Sequence, residues 1–419
     1  METYAKALSF AIPGFVILVV IESVVARIQH KKINRAFDTI SSLSSGVSNT
    51  LKSLSGLAVV IVSYEWMVDN LAIAKPGSSI IVYTLAFLGL DFAGYWSHRF
   101  NHTVNLFWNR HIIHHSSEEY NLSCALRQSI SAVFGIYFFL YIPMALMGVP
   151  ASVVAVVAPI HFFAQFWYHT RLIGSMGWLE YVIVTPSHHR IHHAINDVYI
   201  DKNYSEIFIV WDKLFGTFQK ELEEVPPVYG TKKPVRTWNP ILINFLHVWQ
   251  LAKDAWRTNN WFDRLRIWVM PTGWRPKDVQ VKFPLDITND VYHRTKYATY
   301  SPKSLVLWSW FQLLFTLTIM YLMLVYISEV GSIALLGWSG FLMLTIFAYS
   351  ALMDGHKWAI GAEAMKASLG VILLLFASES IVSRGTLISM LLYLLISMFV
   401  TIYFVFTRKA VSQQAINTY

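Results

Sequence analysis

Long apolar runs dominate this sequence and constrain its fold more than any other feature. SLVLWSWFQLLFTLTIMYLMLVYI (Ser304 to Ile327) and TLISMLLYLLISMFVTIYFVF (Thr386 to Phe406) are each long enough to cross roughly 30 Å of hydrocarbon as a helix. The same criterion predicts spans at about 7–27, 53–73, 79–97, 131–148, 151–168, 304–328, 332–352, 364–382 and 386–407. We therefore expect an all-α, polytopic membrane helix bundle.

The composition agrees with a membrane protein and limits the metal chemistry. The chain is 55% hydrophobic and 14% charged, with a mean hydropathy of +0.45. The charged fraction is well below the roughly 25% of soluble domains. The single cysteine, Cys124, excludes an intramolecular disulfide and leaves nitrogen and oxygen ligands for any metal.

The net charge of +8 is read as a topology signal, and no nucleic-acid partner is expected. Arg27, Lys31, Lys32 and Arg35 follow the first span and predict a cytoplasmic loop there. Alternating the later spans leaves the long 169–303 segment in the cytoplasm, as a helical cap on the bilayer. The predicted domains are N-terminal spans (1–97), a histidine-rich catalytic region with a hairpin and the cap (98–303), and C-terminal spans (304–419).

Histidine is concentrated in one part of the chain. Eleven of the fifteen histidines lie between His98 and His193, and the pattern His-x-x-His-His occurs twice, in HIIHH and in HRIHH. Residues i, i+3 and i+4 share a helix face, so each pattern directs three imidazoles together. The eleven are His98, His102, His111, His114, His115, His161, His169, His188, His189, His192 and His193.

So many neighbouring imidazoles predict a metal site. Desolvated imidazoles cannot all be protonated, whereas neutral ones can share a divalent cation. Eight or nine ligands exceed the coordination number of one ion, so we expect two metals. All-imidazole sites suit zinc, iron, copper or nickel, and the spacing alone does not select one. We interpret the isolated His30, His247, His293 and His356 as structural.

Other residues near the histidines have predicted supporting roles. His169 stands at the end of a predicted span and is expected to be a ligand, whereas His161 lies deeper and is read as structural. Asp91, within an apolar run, is a candidate for orienting a ligand imidazole. His188, Asn121, Arg127 and Gln128 are also predicted to support the metal ligands or to contact the substrate.

Three stretches resemble a known family. They are HRFNHTVNLFWNRHIIHHSSEEYNLSCALRQS (His98 to Ser129), QFWYHTRLIGSMGWLEYVIVTPSHHRIHH (Gln165 to His193) and DKNYSEIFIVWDKLFGTF (Asp201 to Phe218). The chain is similar to the fatty acid hydroxylase or sterol desaturase superfamily, and within it to alkylglycerol monooxygenase-like proteins. The resemblance implies two iron ions, O2 and attack on a lipid C–H bond. It implies as ligands and catalytic residues His98, His102, His111, His114, His115, His189, His192 and His193.

The resemblance also raises two points about single residues. Members of the superfamily have a His-x3-His box where this chain has Gln165-x3-His169, so His169 is an expected ninth ligand and Gln165 a supporting residue. The glutamate that is linked to tetrahydrobiopterin in the alkylglycerol monooxygenases is replaced by Thr103. The resemblance therefore implies the fold and the two irons more directly than tetrahydrobiopterin or an ether-lipid substrate.

The resulting hypothesis is a membrane-bound, di-iron, O2-dependent lipid monooxygenase that receives electrons from an external donor. Its substrate is an alkylglycerol, attacked at the carbon beside the ether oxygen, or a sterol or acyl chain that is hydroxylated or desaturated. A divalent-metal transporter and a catalytically silent protein with a structural metal are the alternatives from other classes. The expected membrane is the bacterial inner membrane or the endoplasmic reticulum, with the active site on the cytoplasmic side.

Overall fold

The computed structural model describes residues 2–56, 62–131, 136–376 and 384–407. The α-helices in these ranges are α1 (Glu2–Ile28), α2 (Ala36–Leu54), α3 (Tyr64–Leu71), α4 (Ile80–Thr103), α5 (Asn105–His115), α6 (Ile142–Leu146), α7 (Ala151–Phe163), α8 (Pro186–His192), α9 (Val210–Leu214), α10 (Pro240–Arg257), α11 (Trp261–Arg266), α12 (Lys277–Lys282), α13 (Lys303–Val325), α14 (Ser332–Asp354), α15 (Ala359–Leu375) and α16 (Arg384–Thr407). The described ranges contain no β-strand beyond two isolated bridges, Ile183 with Phe208 and Ala194 with Tyr229. The all-α prediction is therefore confirmed.

Five of the described helices are long and apolar enough to cross a membrane. They are α1 from Ala5 onward, α4, α13, α14 and α16, each with 23 or 24 residues in the candidate span. Hydrocarbon requires about 20 apolar residues per helix, and these helices meet that requirement. The chain is a multi-pass membrane protein.

Four predicted spans differ from the helices that form. Helix α2 ends at Leu54 and α3 has only 8 residues, so the described part of 53–73 is not one apolar helix. In 131–148, Pro143 lies in the first turn of the five-residue α6, because proline has no backbone N–H to continue a preceding helix. In 151–168, α7 begins at Ala151 but ends at Phe163, so it has only 13 residues. The fourth, 364–382, corresponds to the 17-residue α15, and residues 377–383 lie outside the described ranges.

Hydropathy did not predict α2, because serine is frequent in it. Several serine hydroxyls of α2 bond to carbonyls of the same helix, for example Ser42 Oγ donating to the Asp38 carbonyl at 2.8 Å. Small residues also allow close packing, and Ser44 Oγ lies 2.5 Å from the Tyr349 hydroxyl of α14. Helix α2 thus packs against the C-terminal α13 and α14. The division at 97/98 and 303/304 stays a prediction.

Two apolar cores hold the part of the protein that carries the histidines. The larger core combines α2, the start of α10 and α13 to α16, and the smaller one joins α4, α6 and α7. Between them, α5 is fixed by buried asparagines. Asn109 donates to the Asn244 carbonyl and accepts from the Val248 N–H of α10, both at 2.8 Å, and Asn105 donates to the Ile267 carbonyl at 2.9 Å. These bonds orient a helix with three box histidines.

The turn before α7 gives a stability prediction. Gly148 has φ +72°, and a Cβ at this position would overlap the backbone carbonyl of Ala74. We expect Gly148→Ala to lower the free energy of unfolding by about 1–3 kcal/mol or more, from left-handed backbone strain and this clash. Thermal unfolding in detergent measures the effect. Gly174→Ala is the control, because its Cβ would meet nothing within 4 Å, and an equal loss in both variants would contradict the account.

Candidate metal centre

Three short helical segments and one turn bring the box histidines together. His98 and His102 lie in the last turns of α4, and α5 follows almost directly with His111, His114 and His115. Helix α8 carries His189 and His192, and His193 is its C-cap residue. His169 lies in the turn region after α7. Segments far apart in sequence therefore contribute to one buried cluster.

The nine histidines form two groups. Within each group one candidate ligand atom from every residue lies within 4.8 Å of the others. The first group is His98, His102, His111, His115 and His192, and the second is His114, His169, His189 and His193. The groups adjoin each other, because the rings of His115 and His193 stack with their centroids 4.3 Å apart.

Nitrogen-to-nitrogen distances within each group fit metal ligation. In the first group the Nε2 atoms of His98 and His111 are 3.0 Å apart. In the second, His189 Nε2 lies 3.0 Å from His169 Nε2 and 3.1 Å from His193 Nε2. Two nitrogens about 2.1 Å from one ion and at right angles to each other would be about 3.0 Å apart. His192 Nε2 is buried and has no hydrogen-bond partner among the described residues, as expected of a ligand atom. The donor set fits two transition-metal ions.

Each His-x-x-His-His box contributes to both groups. In α5, His111 and His115 belong to the first group, whereas His114 belongs to the second. In the other box His192 belongs to the first group, and His189 and His193 to the second. The sequence pattern indicated the ligands but not this division, because the division depends on how α4, α5 and α8 cross.

Backbone carbonyls orient two imidazoles of the first group. His98 Nδ1 donates to the Tyr204 carbonyl and His192 Nδ1 donates to the Lys202 carbonyl, both at 2.8 Å. An Nδ1–H donor leaves the Nε2 lone pair free for a metal. Asp201 and Asn203 flank these carbonyls with φ of 57° and 55°. The left-handed backbone thus lets alternate carbonyls face the histidines.

Asp212 and Asn203 stabilise this loop. Asp212 is fully buried and accepts from the backbone N–H groups of Tyr204 and Ser205, both at 2.8 Å. The Asn203 side chain donates to the Gln219 carbonyl and accepts from the Gln219 N–H, also at 2.8 Å. The stretch Asp201 to Phe218 resembles the family, but no role for its residues was predicted from the sequence. The run of polar residues in DKNYSE was the available signal.

Burial keeps the imidazoles neutral. Burial, with a smaller contribution from His192 and His98, lowers the pKa of His169 to about 3. Burial and imidazole neighbours act in the same way on the other ligand candidates outside the spans. The pKa lies well below its usual value in His111, His114, His115, His189, His192 and His193. At neutral pH these side chains present lone pairs to a cation.

Aromatic rings surround the imidazoles and restrict water. The Trp108 ring lies 5.1 Å from that of His102, and the Tyr120 ring lies 5.2 Å from that of His193. Tyr168 covers His189 at 4.4 Å. These contacts reduce solvent access to the donor atoms, which strengthens electrostatic interactions inside the cluster.

Among the described residues, Asp91 makes no hydrogen bond to any of the nine histidines. It is fully buried and accepts from His161 Nε2 at 2.9 Å, from the N–H groups of Ile207 and Phe208 at 2.9 and 3.1 Å, and from Trp211 Nε1 at 2.8 Å. Asp91 and His161 thus fasten the chain after Ser205 to α4 and α7. His161 belongs to neither group of ligands.

Gln165 links this arrangement to a ligand. Its backbone carbonyl accepts from His169 Nδ1 at 3.1 Å, and its side-chain Nε2 lies 3.1 Å from both His161 Nδ1 and Glu206 Oε2. Burial raises the pKa of Glu206 to about 7. Gly94 provides the space for this carboxyl group, because a Cβ there would overlap it.

His188 belongs to the helix cap of α8. Its Nδ1 lies 3.4 Å from the backbone N–H of Thr185, which completes a capping box with that residue. Burial lowers the pKa of His188 to about 4. It positions the helix that carries His189 and His192, and belongs to neither group.

The predicted polar contacts for substrate lie in different surroundings. Arg127 is 2% exposed and its Nη2 pairs with Asp38 Oδ1 at 2.9 Å, while Nη1 donates to Ser116 Oγ at 2.7 Å. Asn121 is also buried and donates to the Ile33 carbonyl at 2.8 Å. Both connect the loop after the HIIHH box to the region where α2 begins. Gln128 instead lines a large groove between helices.

The remaining histidines and Thr103 are placed as follows. The Thr103 hydroxyl donates to the Arg99 carbonyl at 2.9 Å within α4 and supplies no carboxylate. The other four histidines belong to neither group and are His30, His247, His293 and His356.

Comparisons with known proteins agree with this geometry. The family model described as fatty acid hydroxylase matches residues 83–217, which contain all nine histidines. An alkylglycerol monooxygenase of Homo sapiens is 34% identical over 368 residues, which is 87% of this chain and 82% of the relative. The chain belongs to the fatty acid hydroxylase family. It is therefore a membrane lipid monooxygenase, and its histidine groups indicate an iron-dependent enzyme that uses O2.

Other family members align over shorter parts of the chain. The alkylglycerol monooxygenase of Danio rerio is 40% identical over 282 residues, 66% of this chain and 61% of the relative. An ornithine lipid hydroxylase of Rhizobium tropici is 30% identical over 129 residues, 30% of this chain and 39% of the relative. No solved structure matches the chain. Family membership favours the enzyme over the transporter hypothesis.

The carbonyl loop gives a prediction for metal affinity. We expect Asn203→Ala to lower the affinity of the metal-free protein for Zn²⁺ by about 10–100-fold, because alanine disfavours φ 55° and loses the bonds that hold the loop. Titration with Zn²⁺ against a competing chelator measures the affinity. Asn70→Ala is the control, since the Asn70 amide bonds to the Trp66 carbonyl of the exposed α3. Unchanged affinity in Asn203→Ala would contradict the supporting role of this loop.

Proposed function

We propose that this protein is a di-iron, O2-dependent hydroxylase that attacks the carbon beside the ether oxygen of alkylglycerols. The observation that carries the proposal is the division of nine imidazoles, seven of them buried, into two adjoining groups of five and four. Each group would hold one iron ion. Family membership supports iron over the other metals that accept imidazole ligands.

The ligand count supports a catalytic rather than a closed structural site. Four or five imidazoles leave coordination positions of an octahedral ion free, and open positions are typical of iron sites that use oxygen. When bound, the iron pair would supply the activation of O2 and the oxidising power for an unactivated C–H bond. The protein must then hold the donors in place and control what reaches them.

The chain's own residues perform these tasks. The Lys202 and Tyr204 carbonyls keep the Nε2 atoms of His192 and His98 directed inward. Tyr120, Tyr168 and Trp108 limit water around the cluster, which prevents side reactions of the oxidant. Fixed ligands and a dry pocket together favour attack on one position of a bound chain.

The proposed substrate follows from the relatives named alkylglycerol monooxygenase. One oxygen atom of O2 would enter the C–H bond beside the ether oxygen, and the other would leave as water after uptake of two electrons and two protons. The resulting hemiacetal breaks its C–O bond and yields an aldehyde and glycerol. A sterol or acyl chain remains the alternative substrate within the same family, with an alcohol or an alkene as product.

The two electrons would come from an external donor. Tetrahydrobiopterin is not favoured as that donor, because Thr103 occupies the position of the glutamate linked to it and its hydroxyl donates to the Arg99 carbonyl within α4. We propose that the metal centre faces the cytoplasm, of a bacterial inner membrane or of the endoplasmic reticulum. The basic residues Arg27, Lys31 and Lys32 after α1 support this orientation.

Oxygen-dependent cleavage of an alkylglycerol tests the proposal. Iron-loaded protein with a chemical reductant should convert 1-O-hexadecylglycerol to hexadecanal and glycerol, with O2 consumed in proportion. His193→Ala should reduce the rate at least about a hundredfold, because it removes an imidazole from the second group. The matched control is His293→Ala, since His293 is an exposed histidine paired with Asp290.

Each outcome of this assay has a defined meaning. Product from the alkylglycerol that is lost in His193→Ala and kept in His293→Ala supports the proposal. Turnover of a monoacylglycerol or a sterol without turnover of the ether would replace the substrate but keep the enzyme class. No O2 consumption with any of these lipids, by protein that holds iron, would contradict the proposed function.

A further inference from the structure

A wide groove lies between α1 and the helices next to it, and none of the nine clustered histidines lines it. It has a volume of about 2920 Å³ and is lined mainly by apolar side chains of α1, α2, α7 and α13, including Phe15, Leu43, Phe163 and Leu317. This is several times the roughly 300–1,000 Å³ of a pocket for a drug-sized ligand. A space of this size and polarity suits long hydrocarbon chains.

Loose packing of α1 creates the groove. Only 11% of the residues in its apolar window are buried inside the protein, the lowest share among the five candidate spans. Phe10, Ile17 and Val20 of α1 are each more than half exposed. Helices in a bilayer do not leave such gaps empty, so lipid chains would fill the space between α1 and its neighbours.

One end of the groove is strongly basic. The cationic residues there come from the end of α1, the loop before α2 and the segment before α13. They include Arg27, Lys31, Lys32, Arg35, Arg294 and Lys296. Glu119 is the one carboxylate among the described residues that line the groove. The lining is therefore apolar along its length and positive at one end. It complements an anionic lipid, which has apolar chains and a negatively charged headgroup.

Internal ion pairs neutralise only part of this charge. Arg294 pairs with Glu118, and Lys296 donates to Glu119 Oε1 at 2.5 Å. Arg35 donates Nη2 to the Tyr297 carbonyl at 2.7 Å and remains 3.7 Å from Glu118. Lys31 and Lys32 are exposed. A cationic surplus of this kind attracts anionic headgroups at the cytoplasmic leaflet.

We propose that this groove binds an anionic glycerophospholipid of the membrane, with its chains along α1 and α13 and its negatively charged headgroup at the basic end. None of the nine ligand histidines lines the groove, so the bound lipid is a resident partner distinct from the lipid that reacts. The site does not depend on the metal or on the proposed substrate.

A phosphate bound at the basic end would lie next to the loop that leads to the metal centre. Glu119 bonds Lys296 and also Arg171 Nη2, the latter at 2.7 Å, and the next residue is Tyr120. The Tyr120 ring contacts that of His193 at 5.2 Å. An anion that draws Lys32, Arg35 and Lys296 together would stabilise this loop against the start of α2.

Lipid binding to the full-length, delipidated protein in detergent tests the proposal. Native mass spectrometry should show one tightly bound dioleoylphosphatidylglycerol per chain and at least about tenfold weaker binding of dioleoylphosphatidylcholine, whose headgroup is zwitterionic. The double variant K31Q/K32Q should lower the affinity for phosphatidylglycerol roughly tenfold or more, since each juxtamembrane charge contributes about fivefold. These two side chains are exposed, so the variant should fold normally.

A charge-matched control separates a site from general electrostatics. K220Q/R257Q removes two exposed cations that do not line the groove, and it should leave phosphatidylglycerol binding unchanged. Equal binding of the two lipids, or equal losses in both double variants, would overturn the proposal. Displacement of the lipid by millimolar glycerol 3-phosphate alone would overturn it in favour of a site for a soluble phosphate. A dimer that covers the groove would overturn it in favour of a second copy.

Discussion

The concentration of neutral imidazoles in one buried cluster is the constraint on which the rest of the structure depends. Nine lone-pair donors at separations near 3 Å repel each other unless protons or cations lie between them, and burial disfavours protons. Two metal ions would resolve the conflict. Around them, the fold supplies what flexible imidazoles lack, namely a fixed tautomer, a fixed ring direction and exclusion of water.

Buried polar groups provide that rigidity inside a largely apolar protein. Asp212 and Asn203 hold the carbonyl loop, and Asn105 and Asn109 hold α5 against its neighbours. Arg127 pairs the loop after the HIIHH box with Asp38 of α2. Each of these groups is paired, as burial requires. The polar side chains near the metal centre therefore serve mainly to orient the ligands, and the apolar helices serve to enclose them.

The parts of the site that the sequence predicted were those set by local spacing. The spacing of His111, His114 and His115 places them on the same side of one helix. They could therefore be predicted as ligand candidates without tertiary information. The assignment of His114 to a different group from its neighbours required the crossing of three helices. Asp91 was expected near a ligand but bonds His161, because the chain after Ser205 passes between α4 and α7.

The fold was predictable to a similar extent. Uniformly apolar runs such as α13 and α16 were recognised as spans, because composition alone determines them. Helix α2 was not, since its serines lower hydropathy, although several of their hydroxyls bond to carbonyls of the same helix, a pairing that hydropathy does not register. Two other runs form shorter helices, because Pro143 starts the short α6 inside one of them and α7 ends at Phe163 inside the other.

The most direct test of the central claim is the iron content of protein purified from iron-supplemented cells. The account predicts about two iron ions per chain by elemental analysis, and about one when His169→Ala removes a ligand from the group of four while the group of five remains intact. One iron or none in the unaltered chain, or a content that does not respond to this substitution, would contradict a dinuclear centre built from these two groups.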